Sequence, residues 1–117
     1  MTTDSPLRDR LRAALLTARK ARDAETVSTL RTALAALENA EAVPTARTSG
    51  AIEHAPVGVG ATEAQRRVLS DADEVAVLDV EIASLEKAGR TYADSVPERA
   101  AAARRAVRAL TDLREAR

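Results

Sequence analysis

The chain has 117 residues with 18 basic and 18 acidic side chains, no cysteine, and Tyr92 as its one aromatic residue. The length fits one domain. Because the charges balance, no overall electrostatic field marks the protein as a binder of nucleic acid or of membranes. The near-absence of aromatic residues argues against recognition of single-stranded nucleic acid by base stacking. Absent cysteine excludes disulfides and zinc–thiolate sites, and absent long apolar runs predict a cytoplasmic protein with neither a signal peptide nor a membrane contact.

The first part of the chain predicts a helical hairpin over residues 5–43. Ser5 and Pro6 form an N-cap and first-position pair, and the first helix is expected to run to about Arg22. Asp23 is expected to cap the second helix, and so short a turn makes the two helices antiparallel. Apolar residues recur at spacings of three and four on both helices: Leu7, Leu11, Ala14, Leu15 and Ala18, then Val27, Leu30, Leu34 and Leu37.

Residues 44–61 interrupt the helical period. This stretch holds two prolines and three glycines, so Pro44 is expected to end the second helix and an exposed, flexible loop to follow. The Gly-Val-Gly at 58–60 does not indicate a phosphate loop, because the required spacing, preceding strand and lysine are all missing.

The second part predicts helices over residues 62–115. A capping box at Thr62 to Gln65 opens a short helix that runs through Leu69. Ser70 or Asp71 then caps a long helix, in which Gly89 is expected to be the left-handed stop. A further box, Ser95 to Glu98, starts a final helix that ends near Arg114. The apolar positions of the two long helices have helical spacing: Val75, Leu78, Ile82 and Leu85, then Val96, Ala100, Ala103, Val107 and Leu110.

No stretch alternates in the manner of a strand. We therefore predict a single all-α domain over 1–117, in which a helical hairpin is followed by a short helix and two long antiparallel helices packed as a small bundle.

Charge differs between segments. Residues 62–88 carry three basic against seven acidic side chains, a net −4, and residues 89–117 carry seven against four, a net +3. One interpretation is that neighbouring helices of opposite sign attract each other. The other is an external anionic partner for a basic strip made of Arg104, Arg105 and Arg108.

No residue pattern predicts an active site. His54 is the one histidine and lies in the expected loop without a fixed partner for metal binding or general-base chemistry. Ser28, Thr29 and Ser70 have no neighbouring base to activate them. We therefore expect no catalytic residue, no metal and no cofactor in this chain.

Several short motifs resemble the YqeY family, whose domain is similar to the tail domain of GatB, a subunit of the glutamine-dependent amidotransferase that acts on mischarged aminoacyl-tRNA. They are the Lys-Ala-Arg-Asp turn at 20–23, Ser-Thr-Leu-Arg at 28–31, Leu-Glu-Asn-Ala-Glu at 37–41, Glu81, the Ala-Gly-Arg at 88–90 and the alanine-rich last helix. The resemblance spans most of residues 7–113. Family members usually continue into a second small helical bundle, so the chain resembles the N-terminal helical part.

The resemblance implies a helical module of tRNA-dependent amidation that carries the carbon–nitrogen ligase label of the larger enzyme, with glutamine as amido-nitrogen donor. We expect it to be non-catalytic alone and to bind tRNA or an amidotransferase-like complex by shape, through arginine contacts to phosphate. The alternative is a protein–protein or homodimerisation module with no RNA role. The candidate RNA-binding residues are Arg19, Lys20, Arg22, Arg31, Arg90, Arg104, Arg105 and Arg108.

Overall fold

Four α-helices make up the fold. A computed structural model describes residues 5–42 and 68–116, and within these ranges it contains no strand. The helices are α1 Pro6–Lys20, α2 Ala24–Glu41, α3 Asp71–Thr91 and α4 Pro97–Glu115. They pack as two hairpins, α1–α2 and α3–α4, in one all-α bundle. The predicted fold class is confirmed.

The ends of the first hairpin are set by local hydrogen bonds. The Ser5 hydroxyl accepts from the Arg8 amide at 3.0 Å, and the Asp23 carboxylate accepts from the Thr26 amide at 3.1 Å, so both predicted caps are confirmed. α1 ends at Lys20, two residues earlier than predicted, because Arg22 has a φ of 58° and leaves the right-handed region.

The start of α3 is also capped as predicted. Ser70 forms a reciprocal capping box with Asp73, each side chain bonded to the other residue's amide at 3.0 Å. Val68 and Leu69 are not helical, so the predicted short helix is wrong at its end. The rest of that helix, the loop at 44–61 and Pro44 lie outside the described residues.

Two predictions about the α3–α4 turn are wrong. Gly89 does not stop α3, which continues to Thr91; the glycine is buried in the helix against α4, where an added Cβ would lie 3.7 Å from Arg104 Cγ. The Ser95 box is not formed either, since the N-cap of α4 is Val96, without a side-chain cap bond. Gly89 is therefore a buried helical position with room for a Cβ, and Pro97 is the local signal that marks the start of α4.

Leucine and alanine build the core. Five leucines from all four helices are completely buried in one cluster: Leu11, Leu30, Leu37, Leu78 and Leu110. Three alanines of α4 are also buried: Ala100, Ala103 and Ala106. Other predicted positions, such as Val27 and Leu34, are half-buried at the edge of this core. None of the described helices is both long and apolar enough to cross a membrane.

Candidate functional site

The eight basic residues singled out from the sequence fall into separate places. One set lines a cleft where α1 turns into α2, which we call the corner cleft: Arg19, Arg22 and Arg31. A second set lines a groove along α3 and α4, which we call the outer groove: Arg90, Arg104 and Arg108. Arg105 belongs to neither set because it pairs with Glu25. Lys20 is exposed at the end of α1 and lines neither surface.

The corner cleft is an open concavity of about 600 Å³ with a purely basic and neutral lining. Arg19 and Arg22 come from the end of α1. Ser28, Arg31 and Thr32 come from one face of α2, because residues three and four apart are neighbours on a helix. Three arginines, a serine and a threonine therefore border one space, and among the described residues no acidic side chain lines it. All of these groups can donate hydrogen bonds, which suits an anion.

The acidic residues nearest to this cleft in sequence are engaged on the other side of α2. Asp23 accepts from the Thr26 hydroxyl at 2.7 Å and from the Thr26 amide at 3.1 Å, and these bonds lower the pKa of its carboxyl. Glu25 is held by Arg105, whose hydrogen bond lowers the pKa of Glu25 in the same way. Asp23 and Glu25 thus line a different cleft, on the α4 side beside Arg105, from the one that the three arginines line.

Backbone geometry places Arg22 in the cleft. The amide of Arg22 donates to the Arg19 carbonyl at 3.1 Å, and the amide of Asp23 donates to the Ala18 carbonyl at 2.9 Å. These two bonds form a Schellman motif, in which the residue with positive φ is usually glycine. Here that residue is Arg22, with a φ of 58°, so an arginine occupies a position where a side chain is unfavourable.

The outer groove is larger but less basic than the corner cleft. Its volume is about 750 Å³, and Arg90, Arg104 and Arg108 share its lining with Glu86 and Asp112. Two carboxylates offset most of the positive charge of three arginines. The groove therefore offers an anion a weaker field than the corner cleft does.

The predicted strip on α4 is interrupted in the middle. Arg104 and Arg108 line the outer groove, whereas Arg105 donates to both carboxylate oxygens of Glu25, at 2.8 and 2.9 Å. This pair raises the pKa of Arg105 and joins α4 to α2. An analogous pair, Arg114 with Asp79 at 2.5 Å, joins α4 to α3, as expected if helices of opposite charge attract.

The remaining seven candidates share one property. Within the part of the chain that the structure describes, their side chains make no ion pair or hydrogen bond with another residue: Arg19, Lys20, Arg22, Arg31, Arg90, Arg104 and Arg108. The fold uses other cations, such as Arg8, Arg105 and Arg114, for its own ion pairs. The seven are therefore available to an external partner.

Sequence reasoning missed a buried charge network at the opposite end of the bundle. Arg8, 8% exposed, bonds Glu74 of α3 at 3.0 Å and Glu41 of α2 at 2.5 Å. Burial disfavours the charged guanidinium, but the bonds to Glu41 and Glu74 outweigh that cost and raise the pKa of Arg8. The sequence feature that could have indicated this network is the position of Arg8, a charged residue beside Leu7 and Leu11 on the apolar face of α1. The network joins three helices and has a structural role.

The described residues offer little to catalysis by metal ions. No three Asp, Glu, His or Cys side chains among them are grouped so as to hold one. His54 lies outside those residues. The chemistry that the two basic surfaces support is the binding of anions.

Comparison of the chain with protein-family models, with curated proteins and with solved structures gave no match.

Proposed function

We propose that this chain is a non-catalytic helical module that binds folded RNA, with the corner cleft as the main contact and the outer groove as a second one. One observation carries the proposal: Arg19, Arg22 and Arg31 line one cleft, and none of the described acidic side chains lines it with them. Phosphate groups are what such an arrangement of guanidinium groups binds best. Since Tyr92, the only aromatic residue, faces Arg99, backbone contacts to a folded RNA fit better than stacking on bases.

The resemblance to the YqeY family suggests that the RNA is tRNA. It also suggests an amidotransferase-like complex as the assembly in which the module acts. On this proposal the carbon–nitrogen ligase label, with glutamine as amido-nitrogen donor, refers to the larger enzyme, and this chain contributes binding in the cytoplasm. We expect the purified chain to catalyse no amide transfer.

The test is the affinity for bulk tRNA, measured by fluorescence anisotropy at about 50 mM and about 200 mM salt, since phosphate contacts make binding strongly salt-dependent. A variant with Arg19, Arg22 and Arg31 changed to Gln removes the corner cleft. Loss of three phosphate contacts should flatten the slope of log affinity against log salt by roughly two to three. The same change at Arg90, Arg104 and Arg108 should flatten it less.

A matched control removes three charges outside both surfaces by changing Lys20, Lys87 and Arg99 to Gln; none of the three lines the corner cleft or the outer groove. Its binding should stay closest to that of the wild type. If the control loses as much affinity as the corner variant, overall charge decides binding and not the cleft. If the wild type binds no tRNA at either salt, the RNA proposal is wrong.

A mainly apolar cleft of about 350 Å³, with Glu25 and Arg99 also in its lining, favours a second candidate, a protein–protein or homodimerisation module. It lies between α2 and the α3–α4 hairpin and is lined in part by Leu85, Ala88, Tyr92 and Ala102. A helix from a second copy or from another protein would bury these side chains. Light scattering tests the homodimer, because a mass twice that of the monomer supports it and a monomer at high concentration argues against it.

A further inference from the structure

The corner cleft combines two independent features, its lining and its backbone. The lining brings three guanidinium groups to one concave space with two hydroxyl groups beside them. The backbone holds one of the three, Arg22, at a φ of 58°, where glycine costs least. A glycine at position 22 would satisfy the same Schellman hydrogen bonds with less strain. The fold alone therefore does not explain an arginine here.

The left-handed residue also decides where its side chain goes. The chain reverses direction between Lys20 and Asp23, and Arg22 lines the cleft with Arg19 and Arg31, whereas its neighbour Lys20 does not. Lys20 therefore already supplies a positive charge at this turn, outside the lining of the cleft. What Arg22 adds to the lining of the cleft is a guanidinium, whose planar fork can match two oxygens of a phosphate at a time.

The carboxylates nearest to this site in sequence make their hydrogen bonds away from its lining. The Asp23 carboxylate is occupied by Thr26, at 2.7 Å from the hydroxyl, and the Glu25 carboxylate by Arg105, at 2.8 Å. Neither of them lines the corner cleft. In the outer groove, by contrast, Glu86 and Asp112 lie among the arginines. Of the two surfaces, the corner cleft therefore has the lining that better suits a negatively charged group.

We propose that the corner cleft binds a single phosphate group, and that Arg22 occupies a position suited to glycine because its guanidinium contacts this phosphate together with Arg19 and Arg31. The inference rests on the proposed function, in which the phosphate belongs to the RNA backbone. A free phosphorylated small molecule offers the same chemistry, and the experiment separates the two sources. Ser28 and Thr32 are placed to donate further hydrogen bonds from their hydroxyl groups.

The experiment compares the full chain with three variants by amide NMR and thermal unfolding. Inorganic phosphate is added at constant ionic strength, against sodium chloride as the blank, and tRNA is titrated in parallel. Arg22→Gly removes the guanidinium and relieves the backbone. Arg22→Lys keeps the charge and the backbone but not the fork. Lys20→Gln, the matched control, removes a neighbouring charge that does not line the cleft.

In the wild type we expect phosphate to shift the amides of Arg22, Ser28 and Arg31 saturably. Arg22→Gly should raise the melting temperature by roughly 3 to 6 °C and weaken the binding of both phosphate and tRNA about tenfold. Arg22→Lys should weaken binding without that gain in melting temperature, and Lys20→Gln should leave the phosphate titration unchanged. A variant that is more stable yet binds less cannot have lost binding through unfolding.

Three results would overturn the inference. One is an Arg22→Gly variant that binds phosphate and tRNA as the wild type does, which leaves RNA binding intact but assigns it elsewhere. Another is a lower melting temperature for that variant, which makes Arg22 structural. The last is a set of phosphate shifts that spreads over all exposed arginines without saturation. If phosphate binds saturably but tRNA does not bind, the RNA proposal fails while the phosphate site stands.

Discussion

Arg105 of α4 donates two hydrogen bonds, at 2.8 and 2.9 Å, to the carboxylate of Glu25 at the start of α2. The pair links the start of α2 to α4 at the surface of the bundle. Because the two side chains bond each other, Arg105 is not part of either basic surface and the Glu25 carboxylate does not line the corner cleft. The same contact therefore contributes to the fold and sharpens the separation of charge on α2.

Glu25→Gln should release Arg105 to an external anion. The neutral amide holds the guanidinium less strongly, so we expect tRNA to bind more tightly and the salt slope to steepen by up to about one. Anisotropy titrations at several salt concentrations measure both quantities. The double variant Glu25→Gln/Arg105→Gln is the control and should lose the added slope. An unchanged slope in Glu25→Gln would mean that Arg105 does not reach the RNA.

The same pair predicts a pH dependence. The hydrogen bond from Arg105 lowers the pKa of Glu25 below its ordinary value of 4.5. A carboxyl with a lowered pKa in the folded protein stabilises it above the unfolded pKa, and this contribution is lost as the pH falls through the folded pKa. The stability advantage of the wild type over Arg105→Gln should therefore be present at pH 7 and shrink below about pH 4.5.

A carboxyl NMR titration checks the cause directly. The Glu25 midpoint should lie below 4.5 in the wild type and move upward in Arg105→Gln. If the two midpoints coincide, the ion pair does not persist in solution.

Gly89→Ala should stabilise the protein by about 0.5–1 kcal/mol, because alanine is favoured over glycine inside a helix. The added Cβ would find its nearest neighbour, Arg104 Cγ, at 3.7 Å, an ordinary contact distance. Urea denaturation at pH 7 measures the change in the free energy of unfolding. Ala83→Gly, at an exposed position of α3, is the inverse control and should cost about 1 kcal/mol. A clear loss of stability in Gly89→Ala would contradict this expectation and would favour the left-handed helix stop that the sequence suggested for Gly89.

Arg8→Met should destabilise the protein by about 3–5 kcal/mol, because it leaves Glu74 buried without its partner. Glu74 is 4% exposed, and its Oε1 has no partner among the described residues. The double variant Arg8→Met/Glu74→Leu should recover much of the loss, since apolar replacements of a buried pair are often well tolerated. Denaturant unfolding of the single and double variants gives the coupling between the two residues. Additive effects would contradict a direct interaction.

Ser70→Ala should cost about 1 kcal/mol, because it removes the capping box that starts α3. Ser95→Ala should change the free energy of unfolding by no more than about 0.5 kcal/mol, because no side-chain cap bond forms at the start of α4. Thermal and urea unfolding of the two variants, side by side, compare two sequence motifs that look alike. Equal losses would mean that the Ser95 box forms in solution.

Sequence patterns predicted the local features of this fold well. The starts of α1, α2 and α3 follow from Ser5, Asp23 and Ser70, because a cap bonds amides only two or three residues away. The spacing of the leucines likewise identified four helices, since the period of a helix is a property of neighbouring residues. The Ser95 and Gly89 signals failed where packing between α3 and α4 outweighed local preference.

By itself, then, the sequence determined the all-α fold class and the starts of α1, α2 and α3, and it supplied the basic residues that could bind a partner. Only the tertiary structure decided which of those residues remain available to a partner. Arg104 and Arg105 are adjacent in the chain, yet one lines the outer groove and the other is bound by Glu25, 80 positions away. Local patterns cannot report such a contact, because it depends on how two hairpins pack. The buried bond between Arg8 and Glu74, 66 positions apart, was beyond the sequence for the same reason.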